Sequence, residues 1–219
     1  MLSLCTHGPR GRFVMSVVGL VALAGVSVSN AHATDWLEPR INDQDAGEFW
    51  QEAQVPVGIG ELESITGRLD GGFEGPGFGA PPGVPDYQDL FLISIPIPSL
   101  FSARTVPFGF EDIDTELFLF SVNGFGLLNN DNEFGPPIFF SKIVPNATDG
   151  SFNLTAPGLY VIGVAGAGNV PTSSGLAIFN KSNSLEISGP DGAGGGGVHD
   201  GWVTNEVVGR YVIELTGAA

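Results

Sequence analysis

Phe110-Glu111-Asp112-Ile113-Asp114-Thr115-Glu116-Leu117-Phe118-Leu119-Phe120 runs into Ser121-Val122-Asn123-Gly124 and then into Asn129-Asn130-Asp131-Asn132-Glu133. An acidic entry, an apolar run, an Asn-Gly turn and a second polar cluster describe a strand with oxygen-bearing residues at both ends. Side chains alternate along a strand, so Leu117 and Leu119 point one way and Phe118 and Phe120 the other. Both faces are apolar. Such a strand belongs inside a sandwich or a covered sheet, not on a half-wet surface.

The flanking sequence supplies its partners. Residues 61–69, 101–106, 151–154, 159–165 and 175–179 read as further strands, and 89–95 places Phe91, Ile93 and Ile95 on one face. Gly163 suggests a bulge or a close backbone approach. Residues 210–216 alternate most cleanly, with Tyr211, Ile213 and Leu215 inward and Val212, Glu214 and Thr216 outward. With 33 Gly and 16 Pro, long helices are interrupted repeatedly. Only residues 43–53 have room for one or two helical turns, and a loop lying over the sandwich fits them equally. Residues 70–85 form a long Gly/Pro loop, and the Gly-rich residues 189–201 read as flexible by composition. The pattern is all-β: an antiparallel, jelly-roll-like β-sandwich in one domain.

Residues 1–33 read as an export signal. Arg10 and Arg12 precede an apolar stretch, residues 14–28, and Asn30-Ala31-His32-Ala33 offers a small-x-small cleavage site. That stretch is too short for a comfortable membrane span. Residues 34–57 then form an acidic N-terminal segment and 58–219 the sandwich, in a secreted protein that is extracellular, periplasmic or cell-surface. Cleavage takes two of the eight basic residues and none of the 24 acidic ones, so the net charge moves from −16 to −18. Nucleic acid is excluded as a partner by charge repulsion. The single cysteine, Cys5, leaves with the signal, so the mature chain rests on burial without disulfides, with a metal as the other available brace.

Several segments together resemble the bacterial pre-peptidase C-terminal domain family: Asp43-Gln44-Asp45-Ala46-Gly47, Ile65-Thr66-Gly67-Arg68-Leu69, Asp86-Tyr87-Gln88-Asp89-Leu90-Phe91, Asp112-Ile113-Asp114-Thr115-Glu116-Leu117, Pro157-Gly158-Leu159-Tyr160-Val161 and Tyr211-Val212-Ile213-Glu214-Leu215. The resemblance implies a secreted, non-catalytic jelly-roll accessory domain. It also implies calcium held between an acidic N-terminal segment, here Asp43 and Asp45, and an aspartate pair before an early strand, here Asp86 and Asp89.

A second set of oxygen donors, Asp112, Asp114, Asn130, Asp131 and Glu133, is the alternative calcium site. Calcium takes six to eight oxygens from such groups, although neither set has EF-hand spacing. The competing reading makes these acids turn caps that keep the sheet ends soluble. After export His199 is the only histidine, so a histidine zinc site is excluded and a Ser-His-Asp triad would have to run through a residue in the Gly-rich loop. Trp36, Trp50 and Trp202 fall outside the expected strands, where their rings could hold a ligand or cover the ends of the sandwich. The resulting expectation is an exported, non-catalytic binding or accessory protein, calcium-stabilised, adhering to an extracellular polymer or surface protein. The alternative is a secreted carboxylate-dependent hydrolase of glycosidase type.

Overall fold

The computed structural model describes residues 33–39, 45–70, 86–109, 113–137 and 139–219. Thirteen strands and no α-helix occur among them. The strands are β1 (Thr34–Leu37), β2 (Leu62–Leu69), β3 (Gln88–Ile95), β4 (Ser102–Val106), β5 (Thr115–Ser121), β6 (Gly126–Asn130), β7 (Lys142–Ile143), β8 (Gly158–Gly166), β9 (Val170–Ser173), β10 (Leu176–Ala177), β11 (Ile187–Ser188), β12 (Gly201–Val203) and β13 (Gly209–Thr216). One sheet has the order β1-β2-β13-β4-β7 and a second the order β11-β6-β5-β8-β3. The eight strands β2-β13-β4-β7 and β3-β8-β5-β6 follow the two-sheet order of a jelly roll, the chain changing sheet at nearly every connection. Among the named strands every pairing is antiparallel except β1 on β2, and a parallel bridge also joins Gln54 to Phe91.

The expected two-sided strand is β5, in the middle of the second sheet. Leu117 and Leu119 enter the core between the sheets with Phe91, Ile93, Ile162, Ile65 and Ile213. Phe118 and Phe120 face outward, against Leu90, Val161, Ile178 and Phe179. A small third sheet, ordered β10-β9-β12, supplies that outer cover. β5 turns into β6 at Asn123-Gly124, where Gly124 adopts a positive φ of 78° that L-residues rarely take. β13 alternates as read, with Tyr211, Ile213 and Leu215 buried.

Four local expectations need correction. Gly163 makes no bulge: it sits in unbroken register between Leu90 and Phe118, and the irregularity falls instead between Leu119 and Phe120. Residues 43–53 contribute only a 3₁₀ turn, Trp50–Glu52, and residues 151–154 only a single bridge from Asn153 to Asn146. The Gly-rich stretch before Gly201 is tightly packed. Gly192 and Gly194 donate to the carbonyls of Ile178 and Ala177, and a Cβ on Gly195 would collide with the Pro190 carbonyl. Here glycine permits close backbone approach, which composition alone does not separate from flexibility. The export reading falls on residues 1–32 together with Ala33. All of these except Ala33 lie outside the described residues, as do 71–85 of the long loop.

That packing also buries His199. Its ring stacks on Phe49 and Phe120, at 5.5 and 5.2 Å, and meets the edge of Trp202 at 4.7 Å. Burial pushes its pKa down to about 4, against the opposing influence of the Gly201 backbone and Asp200.

Two measurements check this packing. Leu119→Ala should cost about 2–5 kcal/mol in urea unfolding, because a fully buried side chain leaves a cavity in a core that relaxes only partly. His199 has a folded pKa below its unfolded value, so its contribution is complete above pH 6.5 and drains away as pH falls toward 4. His199→Phe should therefore flatten the loss of melting temperature in that window while leaving the behaviour above pH 7 unchanged.

Candidate metal centre

One end of the sandwich gathers carboxylates under the sheets. Trp36 points into the core from β1, and Glu38, two residues on, keeps the same face. The Glu38 N–H still pairs with the Thr66 carbonyl of β2, at 2.9 Å, which turns its side chain inward. The N–H groups of Ala46 and Arg68 donate to its two oxygens, at 3.0 and 3.2 Å. Gly67 makes this possible, since a Cβ there would overlap both the Tyr211 hydroxyl and Glu38 Oε2. From the second sheet, Asp89 shares the inward face of Phe91 and is fully buried; the Tyr211 hydroxyl donates to its Oδ2 at 2.5 Å. Asp86, just before β3, accepts the Asp70 N–H at 2.9 Å. Asp45 is half-buried, and one oxygen each from Glu38, Asp45 and Asp89 lies within 4.8 Å of the others.

These acids repel one another away from water. Burial and then the Asp45 charge raise Glu38 to about 8. Burial and then Asp45 raise Asp86 to about 9. Burial, then Glu38, Asp86 and Asp45, hold Asp89 well above the carboxylate range, with the Tyr211 hydrogen bond pulling the other way. Asp86 Oδ1 and Asp89 Oδ1 are buried without a hydrogen-bond partner. Such orphaned acceptors cost about 1–3 kcal/mol each unless something binds them. Convergent hard oxygens with no His or Cys among them fit calcium, or magnesium with stricter geometry.

Of the first predicted set, Asp45 and Asp89 converge with Glu38, Asp86 is near enough to raise the pKa of Asp89, and Asp43 lies outside the described residues. Glu38 was missed. Continuing the alternation of Thr34-Asp35-Trp36-Leu37 by one residue would have put it on the buried face of Trp36. The described residues of the second set are not among the acids that converge. Asp112 lies outside the described residues. Asn130 is spent on backbone, donating to the Asn132 and Glu186 carbonyls and accepting the Lys142 N–H. Glu133 pairs with Arg104 at 2.5 Å and Lys142 at 2.9 Å. Near Asp114 and Asp131 the cation already present is the Lys181 ammonium, 3.7 Å from Asp131 Oδ2 and 2.5 Å from Glu116 Oε1. Burial, then Asp131 and Glu116, raise Asp114 to about 6, with Lys181 opposing.

The tryptophans divide. Trp36 lies in β1, only 8 % exposed, edge-on to Phe91 at 5.5 Å, so it is a core residue and not a ligand platform. Trp202 lies in β12, its indole N–H donating to the Glu48 carbonyl at 2.8 Å and its ring against Phe118 and His199. Trp50 lines an open cleft, of about 500 Å³, with Ala53, Leu92, Val122, Leu159 and Val161.

Comparison of the chain with protein-family models, with curated proteins and with solved structures finds no match.

Proposed function

We propose that this is an exported, non-catalytic binding protein whose sandwich is braced by calcium held by Glu38, Asp45, Asp86 and Asp89. One observation carries the metal: buried carboxylates converge with two oxygens left unsatisfied. When bound, calcium would supply the positive charge that these groups lack among themselves. Glu38 and Asp89 would anchor it from the two sheets, Asp45 from the N-terminal segment, and Tyr211 would hold Asp89 in place. The non-catalytic reading is supported by His199, which is packed among aromatic rings and so is poorly placed to serve a nucleophile. The binding surface is the Trp50 cleft, where Leu159 is 54 % exposed beside the indole, an arrangement suited to a polymer or surface protein.

The folded pKa values of Glu38 and Asp86 lie above their unfolded ones. Without metal, their contribution is fully present below about pH 4 and is lost as pH rises through 8 to 9. Calcium requires the deprotonated acids, so its affinity should climb between pH 5 and 9 with release of protons, measured by calorimetry in two buffers. At a hundredfold excess over Kd, calcium should stabilise the chelator-treated protein by about 2.7 kcal/mol. An unchanged melting temperature from pH 6 to 9 would remove the metal from this reading.

Asp89→Asn should abolish the calcium response, because the amide cannot supply the anionic ligand that the cation requires. Trp50→Ala should leave that melting response intact and weaken retention on the polysaccharide or matrix protein that retains the parent.

A further inference from the structure

On the outer face of the second sheet a lysine, an asparagine and a buried glutamate share one oxygen. Glu116 of β5 and Asn129 of β6 are diagonal neighbours on that face, since Asn129 stands opposite Phe118. Lys181 descends on them from the chain after β10. Its Nζ lies 2.5 Å from Glu116 Oε1. The Asn129 carboxamide donates to the same Oε1 at 2.9 Å and to the Leu117 carbonyl at 3.1 Å, which fixes the amide plane. Its own carbonyl oxygen is buried and accepts no hydrogen bond. The Glu116 side chain is 2 % exposed, and burial raises its pKa although Lys181 and Asn129 pull it down.

We propose that Lys181 and Asn129 are joined by an intramolecular amide bond formed with Glu116 as proton carrier. In the first step the buried Glu116 carboxylate, whose charged form burial disfavours, takes a proton from the Lys181 ammonium beside it, which leaves a neutral acid and a free amine. The amine lone pair attacks Asn129 Cγ, and the carbonyl electrons move to Oδ1. Glu116 delivers its proton to the carboxamide nitrogen, the Cγ–Nδ2 bond breaks, and ammonia leaves. The proton remaining in excess on Nζ returns to Glu116. One C–N bond is formed and one broken, with no change of oxidation state, so no co-reactant is needed. Glu116 ends protonated and uncharged, which suits its burial once the lysine charge is gone.

The bond would fasten the covering layer to β6 in a chain whose described part contains no cysteine. Asp131, 3.7 Å from Nζ, is the competing acyl partner and would expel water instead of ammonia.

Mass spectrometry of the full purified protein under denaturing conditions tests this, with the termini fixed by peptide mapping. The expected result is a mass one ammonia below that of the sequence, and a branched peptide containing residues 129 and 181 after proteolysis. E116Q removes the proton carrier, and K181R keeps the ion pair but not the nucleophile; both should show the full mass. A parent protein at full mass overturns the proposal, even if neither variant folds. So does an ammonia loss confined to an unbranched peptide, or a water loss joining residues 131 and 181.

Discussion

A strand apolar on both faces must be covered twice. β5 carries Leu117 and Leu119 on one side and Phe118 and Phe120 on the other, and a two-sheet sandwich covers only the first pair. Each buried phenylalanine is worth roughly 1.5–3 kcal/mol relative to exposure, so leaving two in water would cost a large share of a typical domain's stability. The chain between β8 and β13 answers this with β9, β10 and β12. What this third layer requires explains its composition. Glycines allow its backbone to lie close upon itself, Phe179 and Trp202 supply area, and His199 is admitted only as the neutral ring.

Charge buried by the same layering is met in two ways. Glu116, under the third layer, finds a cation within the chain in Lys181. Glu38 and Asp89, between the main sheets, have backbone N–H groups and one tyrosine hydroxyl. Dipoles satisfy lone pairs but do not neutralise several like charges a few ångströms apart. These groups must therefore bind protons or a cation from outside, and the upward pKa shifts of Glu38 and Asp86 are the proton half of that alternative. The proposed calcium is the other half.

Much of the fold was legible because period-two burial is a property of residue order. The faces of 89–95, 115–121 and 210–216 were read correctly, and so was the Asn123-Gly124 turn. β7, β9, β11 and β12 were not legible: each has two to four residues, too few for alternation to show, and Pro171 in β9 reads as a break. The acid cluster was half legible. Asp45, Asp86 and Asp89 came from the family resemblance, whereas Glu38 lay past the end of a four-residue strand that the reading did not recognise. Lys181 carries no signal in the sequence, and only the return of the chain over β5 and β6 sets it on Glu116.

The N-terminal segment links the metal centre to the Trp50 cleft. Parallel β1 is four residues long and holds the edge of one sheet, whereas Gln54 bonds the edge of the other through the Leu90 carbonyl and Leu92 N–H, each at 2.8 Å. Between these attachments lie Asp45, whose carboxylate reaches the acid cluster, and Trp50, whose ring covers Gly124 and walls the cleft. On the proposed calcium reading, a cation bound by Asp45 together with Glu38 and Asp89 would tie the segment that carries Trp50 to both sheets at once.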